Sequence, residues 1–246
     1  MTRPSVSFSI AIVISTAIAA SAWAVVKLTR PTTIDVRGSA KKRINSDLAQ
    51  WTAAVTATKP TRVEAYAALT KDVAQVRAFL TQAGLPEAAA RSSAVELTEM
   101  SHEDVVEEGA KTRRKTVFDG WRAQQNIEVV SSDVPLVERL SREATQLLEK
   151  GVIITSEAPR YLYTKVSDLK IEMLAEASRD ARQRAERMIE AAGGGARVGR
   201  VEGIDTGVIN INPANSTETS WEGNYDTSSF EKDILTTVRV RFEVKN

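Results

Sequence analysis

Apolar and polar residues alternate along Ile34–Arg37 and again along Leu48–Thr58, the two-residue period of strands that bury one face. Gly38 within the first run marks a bulge or a close backbone approach. Asn45-Ser46-Asp47 reads as a turn, so the two runs are expected to form an antiparallel hairpin. After Pro60 the period becomes helical. Val63, Tyr66, Ala67, Val73, Val76, Phe79 and Leu80 recur at that spacing, with Thr61 as the cap and Gly84 and Pro86 as the stop.

Arg91–Met100 reads as a third strand, Ser101–Thr112 as a polar loop, and Val117–Val130 as a long strand interrupted at Gly120. Ser132-Asp133 caps a second helix that starts at Val134 and keeps Leu136, Val137, Leu140, Ala144, Leu147 and Leu148 on one side. Gly151 closes it, and Val152–Ile154 follows as a short buried strand. Next comes a long helix with an apolar stripe of Val166, Leu169, Met173, Leu174, Ala177, Ala181, Met188 and Ile189. Arg179, Arg182, Glu186 and Glu190 face water. Gly193-Gly194-Gly195 end it. Val198–Ile211 is extended, Asn212–Ser229 is a Ser/Thr/Asn-rich excursion, and Ile234–Val244 is a closing strand. The order predicts an α+β fold, mostly antiparallel in its sheets, with helices packed on the sheet faces.

The run Phe8–Val26 carries no charge, with Arg3 before it and Lys27 and Arg30 after it. About twenty apolar residues suffice to span a bilayer, and a run with no polar face does not suit a helix on a soluble surface. The chain therefore divides into a signal-anchor or transmembrane segment, residues 1–30, and an exported domain, residues 31–246. The flanking charges are nearly balanced and do not fix the orientation of an uncleaved anchor through residues 8–26. The small-x-small sites Ala20-Ser21-Ala22 and Ala22-Trp23-Ala24 leave a cleaved leader as the alternative, and either way the body is exported.

Charge narrows the partners. The 33 Lys and Arg balance the 32 Asp and Glu, and the two signs are interspersed, which disfavours nucleic acid. The absence of cysteine removes disulfides, thiolate chemistry and Cys-based metal sites. His102 is the sole histidine, beside Glu103, Asp104, Glu107 and Glu108. One imidazole among loop acids lacks the ligand spacing of a zinc site, and the ordered pattern of oxygen ligands with an internal glycine that a calcium loop needs is missing, so a solvated acidic loop is expected. The triple glycine follows a helix, whereas a dinucleotide fingerprint follows a strand and opens a helix, so it reads as a cap. Glu138 and Glu143 have Arg139 and Arg142 beside them, which suggests ion pairs. Trp51 and Trp121 sit in alternating runs and are expected in the core. Trp221 and Tyr225 lie in the polar excursion, where they pack either on the parent domain or on another subunit. No catalytic, cofactor-binding or metal-ligating residue is assigned.

Several segments together resemble the bacterial SIMPL-domain (DUF541) family from about Ile34 to Val244. They are Val36-Arg37-Gly38 with Ser46-Asp47-Leu48-Ala49, where Ser46 replaces the family's proline, then Ala177–Ala192 with Gly193–Gly195 and Gly199-Arg200-Val201, and finally Val238-Arg239-Val240-Arg241-Phe242. RYLYTKVSDLKIEMLAEASRDAR with NSTE and DTSSFEKDI is similar to the branch that carries an N-terminal membrane segment. The resemblance implies a bacterial envelope protein, anchored in the inner membrane through residues 8–26 with its domain in the periplasm, or soluble in the periplasm after cleavage. Some relatives assemble into large rings, and some are linked to oxidative or envelope stress; no catalytic residues are established to carry over. The expected function is non-catalytic, through homo-oligomerisation or binding an envelope partner. The alternative is an enzyme or small-ligand carrier with a site near residues 212–229, because long loops often carry function.

Overall fold

The computed structural model describes residues 32–108 and 111–245. The expected segment 1–30, with its span 8–26, lies outside the described residues. Among those described, no helix is long and apolar enough to cross a membrane.

The elements run β1 (Thr33–Asn45), β2 (Leu48–Lys59), α1 (Arg62–Gln82), β3 (Ala90–Ser92), β4 (Glu96–Glu108), β5 (Lys111–Ser131), α2 (Val134–Glu143), β6 (Ile153–Ser156), β7 (Arg160–Leu162), α3 (Val166–Ala192), β8 (Arg197–Pro213) and β9 (Glu231–Lys245). They form two sheets, one ordered β1-β9-β8 and one built on β3-β5-β2-β6. In the second sheet β4 also pairs with β5, and β7 with β2. Its strand pairs are antiparallel, and with three helices among the described residues the fold is α+β as expected.

β1 and β2 do not form the expected hairpin, because they belong to different sheets. Only Ser46 and Asp47 separate them. The Ser46 amide donates to the Phe230 carbonyl at 2.9 Å and the Asp47 amide to that of Leu162 at 3.0 Å, so distant chain takes the bonds a hairpin turn would make locally.

The chain clusters into two compact units. One comprises the described residues up to Ala40, Ile171–Val208 and Thr236 onward; the other comprises Lys41–Lys170 and Ile209–Leu235. In the first, α3 buries Met173, Ala177, Ala181, Ala185 and Ile189, a spacing of three or four that keeps one stripe inward. Met188, expected in that stripe, is exposed. Gly38 on β1 lets the helix come close. A Cβ there would collide with the Ala177 carbonyl oxygen and lie 2.5 Å from the Ala181 nitrogen. Alongside, the Ser39 amide donates to Asp180 Oδ2 at 2.7 Å, and Arg184 pairs with the same carboxylate at 2.9 Å.

In the second unit, β2 turns Ala49, Trp51, Ala53, Val55 and Ala57 inward opposite Val129, Ile127 and Ala123 of β5. α1 packs on β2 and β5, and α2 on β2. α1 starts where expected, with the Glu64 amide donating to Thr61 Oγ1 at 3.3 Å. Val73, Val76 and Leu80 are buried as expected, but the first turns differ from the expected face. Ala65 and Leu69 are buried there, whereas Val63 and Tyr66 face solvent. The Leu136 amide donates to Asp133 at the start of α2, as expected. The chain then tightens into a 3-10 turn over Ala144–Lys150 and stops at Gly151, whose φ is 80°. Trp51 is buried as expected, and its indole N–H donates to Ser156 Oγ at 3.0 Å. Ser156 in turn donates to the Ser141 carbonyl at 2.7 Å, so the polar edge of the ring has a partner inside the core.

Candidate functional site

The segment between β8 and β9 is ordered by its own polar side chains. Asn210 and Asn212 are buried at the end of β8. Asn210 Oδ1 accepts from the Ser220 amide at 2.8 Å, and Asn212 spans the loop, donating to the Glu218 carbonyl at 2.6 Å and accepting from Asn224 Nδ2 at 3.1 Å. The Ile211 amide donates to Asn224 and the Asp226 amide returns to Ile211, so Tyr225 bridges the strand. Short amides and hydroxyls can close a loop this way because each carries donors and acceptors on a stiff stem.

Two carboxylates anchor the return to β9. Asp226 Oδ1 accepts from the Ser228 amide and hydroxyl at 3.0 and 2.7 Å, and Oδ2 from Lys232 Nζ at 2.8 Å. Lys232 is fully buried and also donates to the Asp226 carbonyl at 2.6 Å. Burial pushes the Asp226 carboxyl up, but Lys232 and Ser228 outweigh it and hold it at about 2. Asp233 is buried too. It accepts from Arg43 Nε at 2.9 Å and from the Asn215 amide at 2.7 Å, and pairs with Lys41 at 3.0 Å. Arg43 holds its carboxyl well below the usual carboxylate range, against the opposing effect of burial. Both carboxylates stay ionised near neutrality and are occupied by donors, an arrangement that fixes a loop and does not suit proton transfer.

The tip of the segment projects. Ser220–Gly223 forms a tight turn with the Glu222 amide on Ser220 Oγ, and Trp221 is 88% exposed. Of the two expected outcomes for the loop aromatics, Tyr225 packs on its own unit, its hydroxyl 3.3 Å from the Tyr163 carbonyl. Trp221 stays largely in solvent.

The second exposed feature is a correction to the sequence reading. Residues 101–108, read as loop, are strand, and so are residues 111–118. Ser101 pairs with Phe118 and the register runs on to Glu108 opposite Lys111, after a bulge at Met100/Ser101. β2 accompanies β5 only as far as Lys59 opposite Trp121. Beyond that point β4 and β5 form a two-stranded arm. Gly120, with φ of 126° and Lys59 O 2.8 Å from where its Cβ would be, marks the departure. Val105 and Phe118 on the arm are more than half or about half exposed. Composition hid this element, because a ribbon with no buried face shows no apolar alternation.

His102 lies on the arm, with Nδ1 2.7 Å from Asp119 Oδ1. That hydrogen bond raises its pKa above the ordinary value. Arg114 pairs with Glu103 at 3.6 Å. Among the described residues no group of three or more His, Asp or Glu stands where it could hold a metal ion. Of the other candidates, Gly193–Gly195 all adopt positive φ at the end of α3, the geometry of a cap. Glu138 pairs with Arg142 at 2.6 Å. Trp121 is half-buried, with the Arg62 guanidinium 3.8 Å over its ring. A cleft of about 60 Å³ lined by Arg77, Leu80, Thr81, Leu85, Pro86, Glu87 and Ala90 is well below the volume that encloses a metabolite, and it does not involve the 212–229 segment.

The family model SIMPL, described as a protein of unknown function (DUF541), matches residues 34–244. No curated protein matches the chain. The match spans both sheets and all three helices, and the chain belongs to the SIMPL family.

Proposed function

We propose that this protein is a membrane-anchored SIMPL protein that works in the bacterial cell envelope without catalysing a reaction, by assembling with copies of itself or with an envelope partner. Residues 8–26 hold it in the inner membrane and the body stands in the periplasm. Protection against oxidative or envelope stress is the role that the family resemblance suggests.

The observation that carries this reading is the β4–β5 arm. A two-stranded ribbon is marginal in water unless something packs on it, yet this one leaves its sheet at Gly120 with Val105 and Phe118 uncovered. The projecting Trp221 points the same way, because exposed aromatics are enriched where proteins meet partners. The polar interior of the 210–233 segment, by contrast, is taken up by the segment itself.

The test is the size of the native protein extracted in mild detergent, by light scattering, with intact mass measured alongside. A defined oligomer or a stable hetero-complex that retains residues 1–30 is expected. A monomer at high concentration that captures no partner on crosslinking in the envelope overturns the proposal.

A further inference from the structure

The β1-β9-β8 sheet has one covered face and one open face. Val36, Ala40, Val238, Val240 and Phe242 are buried on the covered side, and α3 reaches that side at Gly38. Side chains alternate along a strand, so Asp35 and Arg37 of β1 and Arg239, Arg241 and Glu243 of β9 project from the other face. The Arg239 and Arg241 side chains are each 52% exposed. They share one carboxylate, Asp35, with contacts of 3.4 and 3.2 Å, which leaves most of their N–H donors to solvent. Arg37 is exposed and pairs with no carboxylate among the described residues. Within this unit the three strands carry six cations and four carboxylates. Arg200 engages two of those acids, Glu202 and Glu243, at 2.8 and 3.5 Å. Only Asp205 lacks an arginine partner.

The end of this sheet nearest the N-terminal segment is basic as well. The Val244 amide donates to the Thr32 carbonyl at 2.7 Å, so the last residues of β9 lie beside the first of β1. Glu243 backs onto Gly199, two residues after Arg197. Arg197 and Lys245 are both exposed at that end. The six residues 27–32, which include Lys27 and Arg30, are all that separate it from the uncharged run 8–26. Fully extended, they reach about 20 Å.

Resting on the anchored reading above, we infer that the open face of this sheet lies flat on an anionic lipid bilayer, with Arg37, Arg239 and Arg241 against the lipid phosphates. A planar guanidinium matches phosphate oxygens in pairs, which a lysine ammonium does not. The short tether makes the contact intramolecular, so a face too weakly charged to bind from solution still stays on the membrane. The opposite side of the unit does not compete for it, because α3 presents acids and bases together, as in the Arg182–Glu186 pair. The groups in contact are exposed, so rising salt loosens the face from the lipid.

The absence of cysteine allows a single fluorophore to be placed on the full chain reconstituted in vesicles. Thr237→Cys puts it on the open face, about 25 Å along β9 from the tethered end. Glu176→Cys puts it on the exposed side of α3. Energy transfer to headgroup-labelled lipid is measured in phosphatidylcholine vesicles with and without phosphatidylglycerol. Transfer from residue 237 is expected to be several-fold higher with phosphatidylglycerol and to fall with added salt, while transfer from residue 176 stays low in both. Arg37→Glu, at a position with no ion pair in the fold, is expected to return residue 237 to the phosphatidylcholine level with circular dichroism unchanged. Transfer from residue 237 that ignores lipid charge, or that survives Arg37→Glu, overturns the inference; flotation of the protein with both kinds of vesicle then leaves the anchored reading standing. A response at residue 176 as strong as that at residue 237 also overturns it, because no particular face then meets the lipid. A full chain that floats with neither kind of vesicle overturns both readings.

Discussion

Lys232→Met tests whether the buried ion pair holds the 210–233 segment in place. The Lys232 side chain is 1% exposed and that of Asp226 9%, with 2.8 Å between their charged atoms. Methionine keeps the stem's volume and removes the ammonium. The Asp226 carboxyl, held at about 2 against an ordinary 3.8, reports what its surroundings contribute. At about 1.4 kcal/mol per pKa unit, that depression comes to roughly 2.5 kcal/mol net. That net already includes the opposing effect of burial, which survives when the lysine is removed, so the variant is expected to lose more, about 3 kcal/mol. Because the folded carboxyl is depressed, this stability is fully present above pH about 4 and drains away as pH falls toward 2. Urea unfolding followed by tryptophan fluorescence between pH 7 and 2 measures both effects. The variant should show a lower midpoint at neutrality and a flatter acid limb. Lys232→Met with Asp226→Asn should be less unstable than the sum of the single changes by more than about 1 kcal/mol. A loss under about 1 kcal/mol in the single variant, or additivity in the pair, refutes the reasoning.

Gly38→Ala drives a methyl group into the Ala177 carbonyl and should cost at least about 2 kcal/mol in thermal unfolding. Because the obstruction is backbone, Ala181→Gly should not rescue it; rescue would place the conflict in side chains instead. His102, as the sole histidine, gives one imidazole signal by NMR. Its midpoint should lie above the ordinary value of about 6.5 and fall back in Asp119→Asn, unless the contact with Asp119 is absent in solution. Asn212→Ala removes the bonds to Glu218 and Asn224; amide exchange across residues 218–226 should quicken while that of β2 stays unchanged. Thr61→Ala deletes the acceptor for the Glu64 amide and should lower stability by about 1 kcal/mol, read from the urea midpoint.

What the sequence revealed depended on how local the physics was. The ends of the helices were legible at Thr61, Asp133, Gly151 and Gly193, because a cap is satisfied within a few residues of itself. The later turns of α1 were legible at Val73, Val76 and Leu80, but its first turn was misread because alanine weighs little in a hydropathy pattern, yet Ala65 is buried there. Partner choice between strands was not legible at all. Asn45-Ser46-Asp47 looks like a hairpin turn, but its amides bond to Phe230 and Leu162, and no local signal reports such distant acceptors. The three-residue strand β7 (Arg160–Leu162) went unread, since a segment so short shows no period. The arm was missed for the opposite reason: its backbone is regular, but its side chains answer to water.

The two-residue passage between β1 and β2 also sets a timetable for folding. β2 finds β5 and β6 within the next hundred residues of chain, while β1 must wait for β9, so that Asp35 meets Arg241 across a separation of 206 residues. Closing so long a loop is entropically dear and slow. The helix-covered sheet of β2 and β5 can thus assemble while β1 is still a loose strand beside it. The rate at which β9 arrives sets how long that strand stays open to other chains.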